Sequence, residues 1–323
     1  MLASGLRLPH CLMKAVVLRG PRRPELVSVD EPGAAPGQVL VRVLACGICG
    51  SDLNAWRGVA GVEYPLVPGA PGHEVWGEIV AVGARCPPRL RPGTRVTGLF
   101  SAGYAEFVVA DAAQVVALPS PDGRPVLGEP LACAANVVRR AGVRPGERVA
   151  LVGFGYLAAL VAQLMSPVGG AGWVAVARRP ESRQLASRMG AASVYGFGKI
   201  PSELWDSFDV VIEAAGAQET LDHATWLTRE RGRLVIAGYH ADGPRTVNMQ
   251  SWNWKGLDVI NAHERQPAVY LEGLRWALDV VARHELDPSS LITHTWPLDE
   301  FGEALAAAES HPPGYVKGMI VPQ

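Results

Sequence analysis

Hydrophobic and polar positions along the chain follow two regimes. From Met13 to about Leu118 the apolar residues come in short β-rich runs, QVLVRVLACGI, GEIVAVGA, TRVTGLF and EFVVA, broken by glycine and proline and with little helical periodicity. These runs predict a barrel-like antiparallel domain whose first strand is MKAVVLRG, from Met13. At Val149 the pattern changes: ERVALVGFG is a continuous apolar run ending in a glycine turn, and Leu157, Leu160, Val161 and Leu164 follow at the i, i+3, i+4, i+7 spacing of one helix face. GWVAVARR, ASVYG, FDVVIEAAG and RGRLVIAGY then read as strands and PESRQLASRMGA as a helix, an alternation that predicts an α/β fold with a mostly parallel sheet covered by helices. Beyond about Ala262 a long helix, YLEGLRWALDVVARHEL, a second near FGEALAAAES and a closing strand, VKGMIV, return to the first domain. The expected organisation is a first domain of residues 1–130 and 263–323, interrupted by a second of residues 131–262.

A length of 323 residues suits two domains of roughly 100–200 residues each. The net charge of -1, with 19% charged residues and no long run of one sign, leaves no electrostatic footprint for nucleic acid or an anionic membrane, so a small-molecule partner is expected. No apolar stretch approaches the ~20 residues of a membrane span. The opening MLASGLRLPHCL lacks the sustained apolar core of a secretory signal, and residues 1–12 are expected to be a disordered extension. Cys11, Cys46, Cys49, Cys86 and Cys133 are odd in number and irregularly placed, which argues against a disulfide framework and for a reducing, cytoplasmic compartment. A homo-oligomer, dimer or tetramer, is expected.

Two constellations carry chemistry. Gly153-Phe154-Gly155-Tyr156-Leu157-Ala158 is a GxGxxA turn between a predicted strand and a predicted helix, the context a dinucleotide fingerprint requires. Its first glycine permits the tight turn, its second lets a pyrophosphate approach the backbone, and the helix N-terminus at Tyr156 and Leu157 favours the phosphate charge. In the first domain, Cys49, Ser51 and Asp52 lie in CGICGSD, His73 and Glu74 in PGHE, and Glu129 in GEPLACA. A thiolate, an imidazole and a carboxylate suit catalytic Zn²⁺, which takes three protein ligands and keeps one position open. Each piece also has a plainer reading: Cys46-x-x-Cys49 as a redox pair or two buried thiols, His73 as a core histidine, Glu129 as a surface carboxylate.

The strings GICGSD, GHE, EPLA and VGFG, in this order and at these separations, resemble the zinc-dependent medium-chain dehydrogenase/reductase family, and within it the polyol dehydrogenases. The resemblance runs from Met13 to Pro322. It implies a GroES-like β-barrel catalytic domain plus a Rossmann doubly wound parallel-sheet domain. It implies that Cys49, His73 and Glu129 hold one catalytic zinc, with Cys133 the competing third ligand, Glu74 an alternate ligand or neighbour, and Cys46 a bystander. Asp52 would accept the other His73 ring N–H and fix its tautomer. Ser51, with the ribose and water, or another group such as His263, would carry the proton, since Asn54, where some relatives place a histidine, is no proton carrier. The cysteine-rich lobe that holds a second, structural zinc in many members has no counterpart between GTRVTGLFSA and GYAEFVVAD, so that zinc is expected to be absent. Gly238, Tyr239 and the Ile260–Ala262 backbone would line a nicotinamide, and Lys317 would reach the cofactor pyrophosphate. Trp56, Trp252, Trp254, His263 and Arg265 are candidates for the substrate pocket.

In an NAD-binding unit an Asp or Glu about 20 residues past the glycine turn accepts hydrogen bonds from the adenosine ribose. Here WVAVARRPE places Ala177 at that point, followed by Arg178 and Arg179, which predicts NADP(H) over NAD(H), with Arg178 as first contact and Arg179 as second. The reaction read from this set is hydride transfer between the nicotinamide and a secondary alcohol or ketone, the substrate a polyol, cyclitol or secondary-metabolite intermediate. Two rivals, a zinc-free reductase of activated double bonds and a non-catalytic dinucleotide-binding protein, have no use for the complete Cys49, Asp52, His73 and Glu129 set.

Overall fold

The alternating runs of the N-terminal region form strands in the computed structural model, which describes residues 11–118, 123–166, 172–283 and 286–322. In chain order these are β1 (Leu12–Leu18), β2 (Pro24–Asp30), β3 (Gln38–Gly47), β4 (Glu74–Val82), β5 (Arg95–Gly98), β6 (Phe107–Asp111) and β7 (Val115–Ala117), with the short helix α1 (Asp52–Arg57) between β3 and β4. The second regime gives α2 (Gly128–Ala141), β8 (Val149–Val152), α3 (Tyr156–Met165), β9 (Trp173–Val176), α4 (Pro180–Arg188), β10 (Ser193–Tyr195) and β11 (Phe208–Glu213). It continues with α5 (Gln218–Leu227), β12 (Thr228–Ile236), α6 (Met249–Lys255), β13 (Asp258–Asn261) and α7 (Pro267–Ala282). The chain closes with β14 (His294–Pro297), α8 (Phe301–Ser310) and β15 (Gly318–Val321).

The first compact unit comprises the chain to Gly128 together with His294–His311 and Lys317–Gln323. β1 and β2 pair as an antiparallel ribbon, and a seven-stranded sheet runs β14-β15-β3-β4-β5-β7, with β6 also on β3. β3 is its spine: Val39, Val41, Val43 and Ala45 are buried while Arg42 is exposed. Register decides what meets at the end of this spine. Gly47 pairs with Glu74 across the antiparallel β3–β4 ladder, and Met319 pairs with Gly47 across β15–β3. Residues just after β3, just before β4 and just before β15 therefore leave the sheet at one end, and these include Cys49, His73 and Lys317.

The second unit comprises Glu129–Thr293 and Pro312–Val316. Its six strands are parallel in the order β10-β9-β8-β11-β12-β13, so the winding reverses between β8 and β11. All four residues of β8 are buried, as are Val210, Val211 and Ile212 of β11, because helices cover both faces of such a sheet. Phe208, Leu221, Leu227 and Leu234 pack in one core cluster, and each such side chain contributes about 1.5–3 kcal/mol by leaving water.

Three sequence expectations need correction. The first strand begins at Leu12, inside the proposed disordered extension 1–12, of which residues 1–10 lie outside the described residues. The second unit does not end at Ala262. α7 belongs to it, because Leu271, Leu274 and Ala277 are buried and Gly273 sits against Ala135 of α2, so close that a methyl in its place would lie 3.2 Å from the Ala135 Cβ. α3 is buried well beyond the expected stripe: Ala158, Ala159 and Ala162 are covered, and Leu157 is only half-buried.

Candidate active site

In the first unit a Cys49 Sγ, a His73 ring nitrogen and a Glu74 carboxylate oxygen lie within 4.8 Å of one another, the one such group of three donors among the described residues. The short helix α1 supplies its support. Asp52, fully buried at the start of that helix, accepts the Cys49 backbone N–H at 2.8 Å and the Tyr104 hydroxyl at 2.5 Å through Oδ2. Its Oδ1 faces His73 Nδ1 at 3.4 Å, and Nδ1 also lies 2.9 Å from the Pro71 carbonyl oxygen. With both neighbours of Nδ1 acceptors, the proton of a neutral ring sits on that nitrogen, which leaves Nε2 as the atom open to a second proton or a metal cation. Burial opposes charge on His73, but Asp52 and Cys49 outweigh it and push the imidazole well above its ordinary pKa. Surroundings that favour a second proton on the ring also favour a metal cation beside it.

Tyr104 was not legible as a site residue. It stands thirty-one residues after His73 in GYAEF with no motif around it, and it is fully buried, its pKa raised by burial and by Asp52. Cys46 is fully buried with its thiol pushed far up by desolvation, which leaves it an inert neighbour. Ser51 is half-buried at the N-terminal boundary of α1 and its side chain makes no capping hydrogen bond.

Glu74 lies beside Cys49 and His73, and Lys317 is placed differently from the expectation for it. Lys317, assigned from sequence to the cofactor pyrophosphate, is buried in the first unit and donates to Glu74 Oε1 at 2.7 Å and to the Ile48 carbonyl at 2.8 Å. The pairing of β15 with β3 carries it there. Glu129 opens α2 in the second unit and accepts the Cys133 thiol at 3.2 Å, one turn on, with the Tyr270 hydroxyl 3.6 Å from the same sulfur. Burial raises the Tyr270 pKa, followed by the effect of Cys133. Of the substrate-pocket candidates, Trp252 packs on the core of the second unit and donates to Thr225 Oγ1, Trp56 is buried in the first, and Trp254 is exposed. His263 and Arg265 are exposed as well, with the His263 ring 6.2 Å from that of Tyr239.

The second unit gathers its candidate residues at the carboxyl ends of its strands. Gly153 follows β8 with φ +82, and a Cβ there would meet that of Ala215 at 2.5 Å, so only glycine fits. Gly155 has no heavy atom within 4 Å of where its Cβ would stand, which leaves the backbone at the start of α3 open to a ligand. Ala177 is buried at the end of β9. A pocket of about 110 Å³ beside it is lined by Gly155, Arg179, Ser182, Gln184 and Arg188 among others. Arg178 does not line it and is exposed, whereas Arg179, whose pKa burial lowers, does line it. Arg188 was missed, although Gln184 and Arg188 stand at the i, i+4 spacing that places them on one face of α4. Gly238 and Tyr239 follow β12, and Ala262 follows β13 and accepts the Asn136 side-chain amide.

The alcohol dehydrogenase GroES-like domain matches residues 35–120, and the zinc-binding dehydrogenase domain matches residues 153–279. The chain is similar to an alcohol dehydrogenase of Geobacillus stearothermophilus, 29% identical over 96% of this chain and 98% of that one. It is also similar to a sorbitol dehydrogenase of Gallus gallus, 28% identical over 94% of each. Among solved structures, one described as a zinc-binding dehydrogenase from Sinorhizobium meliloti 1021 bound to NADP superposes with a TM-score of 0.84 at 27% identity, covering 97% of this chain and 100% of that one. With a family match on each of its two units, the chain belongs to the zinc-dependent medium-chain alcohol dehydrogenases, NAD(P)-dependent oxidoreductases built from a GroES-like and a Rossmann-type domain.

Proposed function

We propose that the protein transfers a hydride between NADP(H) and a secondary alcohol or its ketone, with a polyol, cyclitol or similar polyhydroxylated secondary-metabolite intermediate as substrate. The observation that carries this reading is the convergence of Cys49 and His73 at one strand end, with the buried Asp52 carboxylate behind the imidazole. The sorbitol dehydrogenase likeness supports the substrate class. The donor set fits one Zn²⁺ per chain on Cys49 Sγ and His73 Nε2. The sequence resemblance names Glu129 as the third protein donor; Glu74, which lies within 4.8 Å of the other two donors and pairs with Lys317, is the alternate. When bound, zinc supplies Lewis acidity to the reacting oxygen.

The chain's own residues do the rest. Asp52 fixes the tautomer and direction of His73. A bound nicotinamide would supply the hydride acceptor for the carbinol carbon, and Ser51 would pass the alcohol's hydroxyl proton toward solvent, so that the alcohol would be oxidised to a ketone. Gly153, Gly155, Tyr156 and Leu157 cradle the pyrophosphate at the start of α3. Arg179 and Arg188 take the 2′-phosphate beside Ala177, and Gly238, Tyr239 and Ala262 line the nicotinamide. The edge strand β13, with Val259 exposed, supports pairing between copies in a homo-oligomer. Five free thiols fit a reducing, cytoplasmic setting. The test is metal analysis with an activity screen of polyols, cyclitols and simple ketones with both NADP⁺/NADPH and NAD⁺/NADH. We expect one zinc per chain and NADP-dependent turnover of a polyhydroxylated alcohol. No turnover of any member by zinc-loaded protein would overturn the reading.

A further inference from the structure

The loop after β12 is tied to the loop after β11 by a chain of polar side chains that the reaction itself does not use. Glu213, fully buried at the end of β11, accepts three hydrogen bonds on Oε1: from the Ala215 N–H at 2.9 Å, the Gly216 N–H at 2.7 Å and the Thr220 hydroxyl at 2.7 Å. Its backbone carbonyl accepts the N–H groups of Ala237 and Gly238 at 2.8 and 2.9 Å. The remaining oxygen, Oε2, faces His240 Nε2 at 3.2 Å. On the far side of the imidazole, Arg245 Nε donates to Nδ1 at 2.8 Å, while its NH2 group donates to the Gly216 carbonyl at 2.7 Å and pairs with Asp242.

This arrangement fixes the state of the ring. A guanidinium only donates, so His240 Nδ1 is the acceptor and the proton of the neutral imidazole sits on Nε2, toward the Glu213 carboxylate. The imidazole thus stands between a buried carboxylate and a guanidinium, accepting a hydrogen bond from Arg245 and lying 3.2 Å from Glu213 Oε2, on the loop that carries Gly238 and Tyr239. That loop has little room to adapt: a Cβ on Gly238 would overlap the Gly216 backbone and come within 2.6 Å of Glu213 Oε2.

Position in the sheet says what the tether serves. The 2′-phosphate pocket lies at the end of β9, and β12 is three strands away, roughly 14 Å at the usual strand spacing, across the point where the winding reverses. A dinucleotide whose adenosine half sits at β9 and whose pyrophosphate crosses the β8 turn presents its nicotinamide half to the ends of β11 and β12. We infer that His240 is a positioning residue for that half: by linking Glu213 to Arg245 it holds the Gly238–Tyr239 loop in the shape that receives the nicotinamide. This rests on the dinucleotide reading of the second unit.

The test measures binding of NADPH, NADH and ADP, which lacks the nicotinamide half, to the full-length wild type and to His240→Leu, His240→Gln and Arg245→Met. The wild type should bind a reduced dinucleotide and ADP. His240→Leu and Arg245→Met should bind the preferred dinucleotide about five- to tenfold more weakly, with altered fluorescence of the bound nicotinamide, while ADP affinity stays within about twofold. His240→Gln, whose amide can both accept from Arg245 and donate to Glu213, should recover most of the loss. Equal weakening of ADP and dinucleotide would assign His240 to general folding and overturn the inference, as would unchanged dinucleotide binding in both His240→Leu and Arg245→Met. A wild type that binds none of the three ligands would overturn the dinucleotide reading, and this inference with it.

Discussion

Lys317 Nζ lies 2.7 Å from Glu74 Oε1 with both residues buried, at the end of β3 where Cys49 and His73 also emerge. A buried ion pair is a weak source of net stability, but removing one partner strands the other charge away from water. Lys317→Met is therefore expected to lower unfolding free energy by about 3–5 kcal/mol, and the double variant Lys317→Met, Glu74→Gln should regain a large part of it. Chemical denaturation of the three proteins checks this. A single variant as stable as wild type would mean that the Glu74 carboxylate finds another partner or stays protonated.

The pairing also bears on the metal. If the proposed ligand set is right and Glu74 is held out of it by Lys317, purified protein should hold one zinc per chain, and Cys49→Ala or Glu129→Ala should lose it. Glu74→Gln should retain it. Elemental analysis returning two tightly held zincs, or zinc retained in Glu129→Ala and lost in Glu74→Gln, would reverse the assignment of the two carboxylates.

Ser51→Ala should reduce turnover by roughly 10²–10⁴-fold while dinucleotide affinity stays near wild type, because the hydroxyl acts on the reacting oxygen and not on the cofactor. Steady-state kinetics together with dinucleotide titration separates the two. Near-normal turnover would show that the proton leaves by another route.

What patterning made legible here is what repeats along the chain. The short β-rich run of β3 and the continuous apolar run of β8 each state their own structure, and GxGxxA states its turn. Register is not written in that way: nothing local in VKGMIV says that it pairs with β3, so Lys317 reads as a cofactor contact although it pairs with Glu74. Tyr104 was invisible for a related reason, since it acts through a contact made only after the chain folds, with Asp52. α7 was recognised as a helix yet placed in the wrong unit, because amphipathicity reveals a buried face and not the partner that buries it.

Acid should weaken the first unit through Glu309, whose carboxylate bridges Arg22 and Arg57 at 2.8 Å each. Hydrogen bonds from Arg57 and Arg22 hold its pKa below the ordinary value. A carboxylate depressed in the folded state binds fewer protons there than when unfolded, so its contribution is present above the unfolded pKa, near 4.3, and is lost as pH falls through the folded value. The difference in melting temperature between wild type and Glu309→Gln should be largest near neutral pH and close below about pH 4. Because the groups are partly exposed, added salt should shrink it as well. A gap independent of pH would show that packing, not charge, carries the effect.

Cofactor choice gives the sharpest test, since sequence and structure point to different arginines. An acidic residue at the end of β9 would bind the ribose and repel a 2′-phosphate; Ala177 does neither. Both Arg178 and Arg179 follow it, but Arg179 lines the pocket, together with Arg188 and Glu181, and Arg178 does not. Arg183, the remaining cation of this stretch, donates to the Ala177 and Arg178 carbonyls and so holds the turn instead of facing the pocket. A charge-assisted hydrogen bond is worth about 1.5–3 kcal/mol, or roughly a ten- to hundredfold preference for one phosphate contact. Arg179→Ala and Arg188→Ala should each lower kcat/KM for NADP(H) by about that factor with little change for NAD(H), whereas Arg178→Ala should change the ratio by less than about twofold. Ala177→Asp combined with Arg179→Ala should turn the preference toward NAD(H), because the new carboxylate repels the phosphate that the lost guanidinium no longer holds. Equal efficiency with both cofactors in the wild type, or a loss confined to Arg178→Ala, would show that this pocket does not read the phosphate.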